Sequence, residues 1–201
     1  MPNGLNVPAP MQTPLIAIIV GSTRQGRFAD KPVQWISELG SNRKDLRFEV
    51  VDLRDFPMPF FDEAGSPAAV PPTNVTAVEW GKKLATFDGF IFVTPEYNHG
   101  ITAVLKNALD YAYKEWNYKP AAFVGYGAVG AARAIQNLRM TAATLRMAPI
   151  SKAVHLTMAE VQGIQGGKTF ATFPHLEQSA NAMLEELSLW LKALRPMRQC
   201  G

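Results

Sequence analysis

The sequence predicts an α/β fold of the doubly wound class, a five-stranded parallel sheet of order 2-1-3-4-5 in three layers. Short β-rich runs alternate with longer helical stretches from residue 15 onwards. The runs at 15–20 and 89–94 are continuously apolar, as expected of strands buried on both faces. Right-handed crossovers between such strands give a parallel sheet with helices on either side.

Residues 1–14 carry four prolines and no charge, and they read as a loose tail. The first strand is 15–20. A helix follows with Phe28, Val33, Trp35, Ile36 and Leu39 among its apolar positions; Pro32 suits its first turn and Gly40 its end. Residues 47–53 form the second strand. The proline-rich loop at 56–61 cannot be regular throughout. A helix at 74–87 leads to the third strand, 89–94. The helix at 101–113 spaces Val104, Leu105, Ala108, Leu109 and Ala112 for burial. A fourth strand at 121–125, a helix at 131–145, a fifth strand at 150–156 and a closing helix at 176–194 complete the pattern. Ser151 and Lys152 weaken the fifth strand. A single domain is expected over 15–195, with a short tail at 196–201.

The 201 residues are 47% hydrophobic and 18% charged, which supports a sizeable core and argues against a disordered chain. A net charge of +3 suits an anionic small molecule and is too weak to point to nucleic acid. The densest basic cluster, Arg43, Lys44 and Arg47, is broken by Asp45. Cys200 is the only cysteine, so no internal disulfide forms and a cytoplasmic setting is expected. The apolar run at 15–20 is too short for a membrane span, and no membrane partner is expected.

In the predicted order the first and third strands flank the switch point, and ligands bind outside their carboxyl ends. Three loops meet there: 21–27, 95–100 and 126–130. In the first, Gly21 and Gly26 allow a turn and close approach, and Ser22 and Thr23 offer hydroxyls. Arg24 and Arg27 add guanidinium forks, and the helix start adds free N–H groups. Such a loop either cradles a phosphate or is a polar turn with two solvated arginines. No Walker ending is present.

The segments Pro95-Glu-Tyr-Asn98 and Leu105-Lys-Asn-Ala-Leu-Asp110 resemble the NADPH-dependent FMN reductase family, which includes quinone, azo-dye and chromate reductases. Gly21-Ser-Thr-Arg24 is similar to that family's phosphate loop. Gly125-Tyr-Gly-Ala-Val-Gly130 with Arg133 resembles its loop after the fourth strand. The resemblance implies a flavodoxin-like fold, bound FMN, NADPH or NADH as co-substrate, a small-molecule electron acceptor, and a homodimer or homotetramer. It implies phosphate contacts around Ser22, Arg24 and Arg27, and ring contacts at Pro95, Glu96, Tyr97, Asn98 and near Gly127. Thr23, Phe28, Gly125 and Tyr126 join the candidate cofactor contacts. The family often has Pro at the position of Thr102 and Ser at that of Arg27. Tyr97 and Pro95 offer an apolar floor for a flavin ring, and the chemistry belongs to the flavin rather than to a side chain.

Residues 125–130 also match the dinucleotide fingerprint G-x-G-x-x-G. They follow the fourth strand instead of the first, and no acidic residue lies near 150, so they read as a loop beside the ring. His99 is either a proton donor at the flavin or a polar loop residue, and the second reading is favoured because hydride transfer through flavin needs no side-chain acid near its first step; His155 and His175 show no metal-ligand spacing with it. Tyr111, Tyr113, Trp116 and Tyr118 crowd one helix end and are either core or subunit interface. An electron carrier or flavin sensor is the rival to an enzyme; the basic charge favours the enzyme.

Overall fold

Alternate residues of the central strands face opposite helical layers, and that alternation sets the architecture. In the computed structural model, which describes residues 12–199, the order is β1 (Leu15–Val20), α1 (Asp30–Ser41), β2 (Arg47–Asp52), α2 (Val75–Ala85), β3 (Gly89–Pro95), α3 (Ala103–Asp110), β4 (Pro120–Tyr126), α4 (Ala132–Thr144), β5 (Ala148–Leu156), α5 (Met158–Gln165) and α6 (Pro174–Gln199). All strand pairs are parallel, in the order β2-β1-β3-β4-β5. Ile16, Ile18, Ile91, Val93 and Val124 pack under α1, α5 and α6. Ala17, Ile19, Phe90, Phe92 and Phe123 pack under α2, α3 and α4. The fold class, the strand order and the helices on both faces are therefore as expected.

The boundaries differ where one contact overrides a local signal. Gly40 lies in the last turn of α1, one residue before its end at Ser41, and a Cβ there would sit 2.7 Å from the Phe48 ring, so glycine also serves packing. Phe28 precedes the helix. The helix expected over 101–113 is shorter, because the Thr102 hydroxyl accepts the Leu105 N–H at 3.1 Å and caps α3. The turns that follow α3 bury Tyr111 and Trp116 completely, and Trp116 meets Trp80 and Phe90 edge-on. These two aromatics belong to the core of one subunit and say nothing about an interface. The helix α5 was not anticipated; its eight residues turn only Val161, Ile164 and Glu160 inward. The expected tail at 196–201 is helical as far as Gln199. Most of the expected 1–14 tail, and Cys200 with Gly201, lie outside the described residues.

The weak point of the fifth strand is a bulge. The register slips between Ala121 and Phe123, leaving Ser151 and Lys152 exposed in β5. Their free N–H groups are not wasted: the Glu186 carboxylate on α6 accepts Ser151 N–H at 3.0 Å and Lys152 N–H at 2.7 Å. Arg139 on α4 donates to the carbonyls of Ile150 and Ser151. Burial works to raise the Glu186 carboxyl, but these N–H donors outweigh it and hold the group below its usual value. A carboxylate with a lowered folded pKa contributes stability above its unfolded pKa, near 4.3, and loses it as pH falls through the folded value. Glu186→Ala should therefore cost about 1 kcal/mol at pH 7, a few degrees in Tm, and the gap from wild type should close in acid below about pH 4. Thermal unfolding at both pH values checks it; an equal gap at both would assign the loss to packing.

Candidate active site

The carboxyl ends of β1, β2 and β3 open into a cleft of about 770 Å³. Ser22, Thr23 and Arg24 form one wall, Met58, Pro59 and Phe60 another, and Tyr97 with the start of α3 the floor. The size is that of a cofactor site.

The first loop leaves β1 at Gly21, whose N–H donates to Val93 O at 2.8 Å; a Cβ there would stand 2.9 Å from the same oxygen. Four consecutive carbonyls are then taken by side chains. Thr102 Oγ1 donates to Gly21 O at 2.6 Å, Arg27 to Ser22 O at 2.6 Å, and Arg54 to Thr23 O at 3.4 Å and Arg24 O at 2.6 Å. Among the described residues the N–H groups of Thr23, Gln25 and Gly26 donate to no protein acceptor. Arg24 is exposed, lines the cleft and has no acidic partner among them.

Arg27 does something other than expected. Its guanidinium spans both carboxylate oxygens of Asp52 and also reaches Asp30, with the side chain 5% exposed. Hydrogen bonding to Asp52 holds its pKa above the ordinary arginine value, against the effect of burial. Its donors are committed inside the protein, which corrects the expectation that it reaches a phosphate. Asp30 stands in the first turn of α1, and its carboxylate pairs with Arg27. The helix start that faces the cleft is that of α3, through Ala103 and Val104.

In the second loop, Pro95 is the last residue of β3 and is buried against Tyr126, so Tyr97 alone supplies the exposed apolar floor. The Glu96 side chain is 6% exposed and points away from the cleft to α4, where it accepts Arg133 N–H at 3.1 Å and pairs with the Arg133 guanidinium. Burial works to raise its carboxyl, and Arg133 with the Ala134 N–H holds it below the usual range. The Tyr97 hydroxyl lies 3.4 Å from Ser22 Oγ and joins the first two loops. Asn98 and His99 have φ of 50° and 67° between reciprocal Tyr97–Gly100 hydrogen bonds, a two-residue hairpin of type I′.

The third loop lies behind the cleft. A Cβ on Gly125 would meet Ala131 Cβ and Gly130 O at 2.7 Å, and one on Gly130 would meet His155 Cβ at 2.6 Å. Tyr126 is buried against Phe28, ring centroids 5.2 Å apart, and burial pushes its phenol pKa up. Phe28, Gly125 and Tyr126 are thus wall rather than lining, while Gly127 is half-buried at φ +147°. The fingerprint glycines at 125 and 130 serve close packing.

A model described as NADPH-dependent FMN reductase matches residues 14–160. The chain belongs to that family. An NAD(P)H-dependent FMN reductase of Schizosaccharomyces pombe is 39% identical over 158 residues, covering 77% of this chain and 78% of that one. A 2-hydroxy-1,4-benzoquinone reductase of a Burkholderia species is 34% identical over 137 residues, 65% and 70% of the two chains. Among solved structures, a flavoenzyme NAD(P)H:(acceptor) oxidoreductase of Paracoccus denitrificans superposes with a TM-score of 0.68 at 24% identity, over 90% of this chain and 98% of that one. That likeness shows the flavodoxin-like fold. This FMN reductase family member is therefore an oxidoreductase with FMN as cofactor and NAD(P)H as electron donor. The cleft fits the cofactor: free amides and an uncommitted arginine stand at one end, and a half-exposed tyrosine and apolar side chains at the other.

Sequence reasoning passed over Asp52 and Arg54, and gave neither Thr102 nor the Met58–Pro59–Phe60 wall a role in the site. A signal for the wall existed in Asn107, inside the 105–110 motif. Its side chain donates to Pro59 O at 2.7 Å and accepts Phe61 N–H at 2.9 Å, fixing the proline-rich loop to α3.

His99 occupies a backbone region that glycine adopts without strain. His99→Gly should leave NADPH oxidation within about twofold and should not lower Tm, whereas removal of a proton-transfer group costs about a hundredfold or more. Steady-state turnover and thermal unfolding of that variant decide whether the imidazole takes part.

Proposed function

We propose that this enzyme passes electrons from NAD(P)H through FMN to small acceptors of quinone type, in the cleft between the Ser22–Arg24 wall and the Met58–Phe60 wall. Free flavin, azo dyes and metal oxyanions are further acceptors to test. The observation that carries the reading is the pairing, in one cleft, of unpartnered loop amides and Arg24 with an apolar floor and wall. When bound, the isoalloxazine ring supplies hydride acceptance and donation. Arg24, the amides of Thr23, Gln25 and Gly26, the Ser22 and Thr23 hydroxyls and the α3 N-terminus would hold the phosphate. Tyr97 would face the ring, and the backbone of 96–98 would offer polar groups to its edge. Met58 and Phe60, the latter 80% exposed, present the apolar surface that a flat acceptor needs. The substrate named for the Burkholderia relative favours quinones.

So exposed a wall also favours closure by a second subunit, and a homodimer or homotetramer is part of the proposal. Light scattering at micromolar concentration tests it; a monomer mass counts against it. A cytoplasmic setting fits a chain whose one cysteine cannot pair internally. No helix among the described residues is long and apolar enough to cross a membrane.

Purified protein should be yellow and bleach on anaerobic NADPH addition, with colour restored by a quinone. A protein that takes up no FMN overturns the reading. Arg24→Ala should weaken FMN by about ten- to a hundredfold, the value of one charge-assisted hydrogen bond, and leave riboflavin, which lacks the phosphate, nearly unchanged. Fluorescence titration of apo-protein with both flavins measures this; equal weakening of the two would place Arg24 in loop folding.

A further inference from the structure

We propose that Asp52 and Arg54, at the end of β2, are positioning residues that set the phosphate loop for an anion without touching it. The inference rests on the FMN reading for its ligand. A trans peptide unit is planar and holds its C=O and the next N–H in opposite directions. Fixing a carbonyl therefore fixes the amide that follows. Arg54 takes Thr23 O and Arg24 O, which orients the N–H groups of Arg24 and Gln25. Arg27 takes Ser22 O, which orients the N–H of Thr23. Arg27 is itself aimed by Asp52, which accepts from it through both carboxylate oxygens and also accepts the Arg54 N–H at 3.0 Å. One carboxylate thus aims the Arg27 guanidinium and holds the backbone from which Arg54 reaches the loop.

The consequence is electrostatic. Untied carbonyl dipoles in a short loop would point in part toward an incoming dianion and repel it. Tied back to two cations, they leave the amides as the face the anion meets. Arg54 is otherwise an exposed residue with no side-chain partner that burial would require. Its two acceptors are the loop carbonyls, so loop geometry is what its side chain serves.

The test uses apo-protein of wild type, Arg54→Ala, Arg54→Lys and Asp52→Asn, with FMN and riboflavin as probes. Nitrogen-15 relaxation of the 22–26 amides is read without ligand, and both affinities are read over a range of salt. In Arg54→Ala the loop order parameters should fall below about 0.6. FMN should weaken about fivefold or more, as for a lost hydrogen bond, and riboflavin less than about twofold. The salt dependence of FMN binding should match wild type, because no phosphate contact has been removed. Arg54→Lys, with one compact donor in place of a fork, should recover part of both effects. Asp52→Asn should loosen the same amides. Unchanged loop order in apo Arg54→Ala, or a flatter salt dependence for that variant, overturns the proposal; the second result makes Arg54 a direct phosphate ligand. If wild type takes up neither flavin, the cofactor reading fails by itself. The order parameters then judge the positioning role, and unchanged values overturn it.

Discussion

The cleft depends on a run of four peptide units whose carbonyls are all held by side chains from elsewhere in the fold. Thr102 reaches Gly21 O from α3, Arg27 reaches Ser22 O from the loop itself, and Arg54 reaches Thr23 O and Arg24 O from beyond β2. A loop of this length has little hydrophobic surface to bury, so burial cannot fix its conformation. Polar ties do it instead, and they are anchored where the sheet is rigid. The anchor has an energetic asymmetry. The Arg27 side chain is 5% exposed, and stripping Asp52 from it would leave that buried charge with only the exposed Asp30 as a counter-charge. The pair does little net work by existing and much by not being broken.

The same device recurs behind the second loop. Glu96 lies in a stretch that resembles flavin-contact sequence, yet its carboxylate serves the first turn of α4 and the Arg133 guanidinium. The reciprocal Tyr97–Gly100 bonds and the Asn137 side chain, which donates to His99 O at 2.9 Å, hold the tip in a left-handed conformation that neither Asn98 nor His99 would choose strongly. What the cleft receives from this segment is the Tyr97 ring and backbone, not charge. Charged groups near the cleft thus divide: Arg27, Glu96 and Asp52 are spent on shape, and Arg24 is left over.

Much of the fold was legible because its cause is local. A continuous apolar run reads as a strand buried on both sides, and five strands in β-α alternation with right-handed crossovers leave few topologies, so the strand order followed. The three loops were placed at the sheet's carboxyl end by the same logic. What stayed hidden depends on contacts distant in sequence. Gly40 carries the signature of a helix end and sits at one, but only the Phe48 ring shows that its missing Cβ also makes room for packing. Ser151 and Lys152 look wrong for a strand until Glu186, more than thirty residues later, is seen to accept their N–H groups. Arg27 and Arg24 are indistinguishable as letters in a loop. Asp52, at the end of the neighbouring strand, separates them.

That separation bears on the residue that replaces the family's frequent serine. A serine at position 27 offers one short hydroxyl to a phosphate; an arginine at the same place is long enough to cross to β2 and has five donors to distribute. Four of its contacts go to Asp52, Asp30 and Ser22 O, which makes the side chain a strut. The strut carries its own counter-charge in Asp52 and Asp30, so it adds little net positive charge to the cleft. In the proposed FMN reading, affinity for the phosphate then falls to Arg24, the loop amides and the α3 N-terminus. The Thr102 hydroxyl, where proline is common in the family, compensates in a second way. It both caps α3 and donates to Gly21 O, two hydrogen bonds no proline side chain could make, and so ties the helix start to the loop it faces.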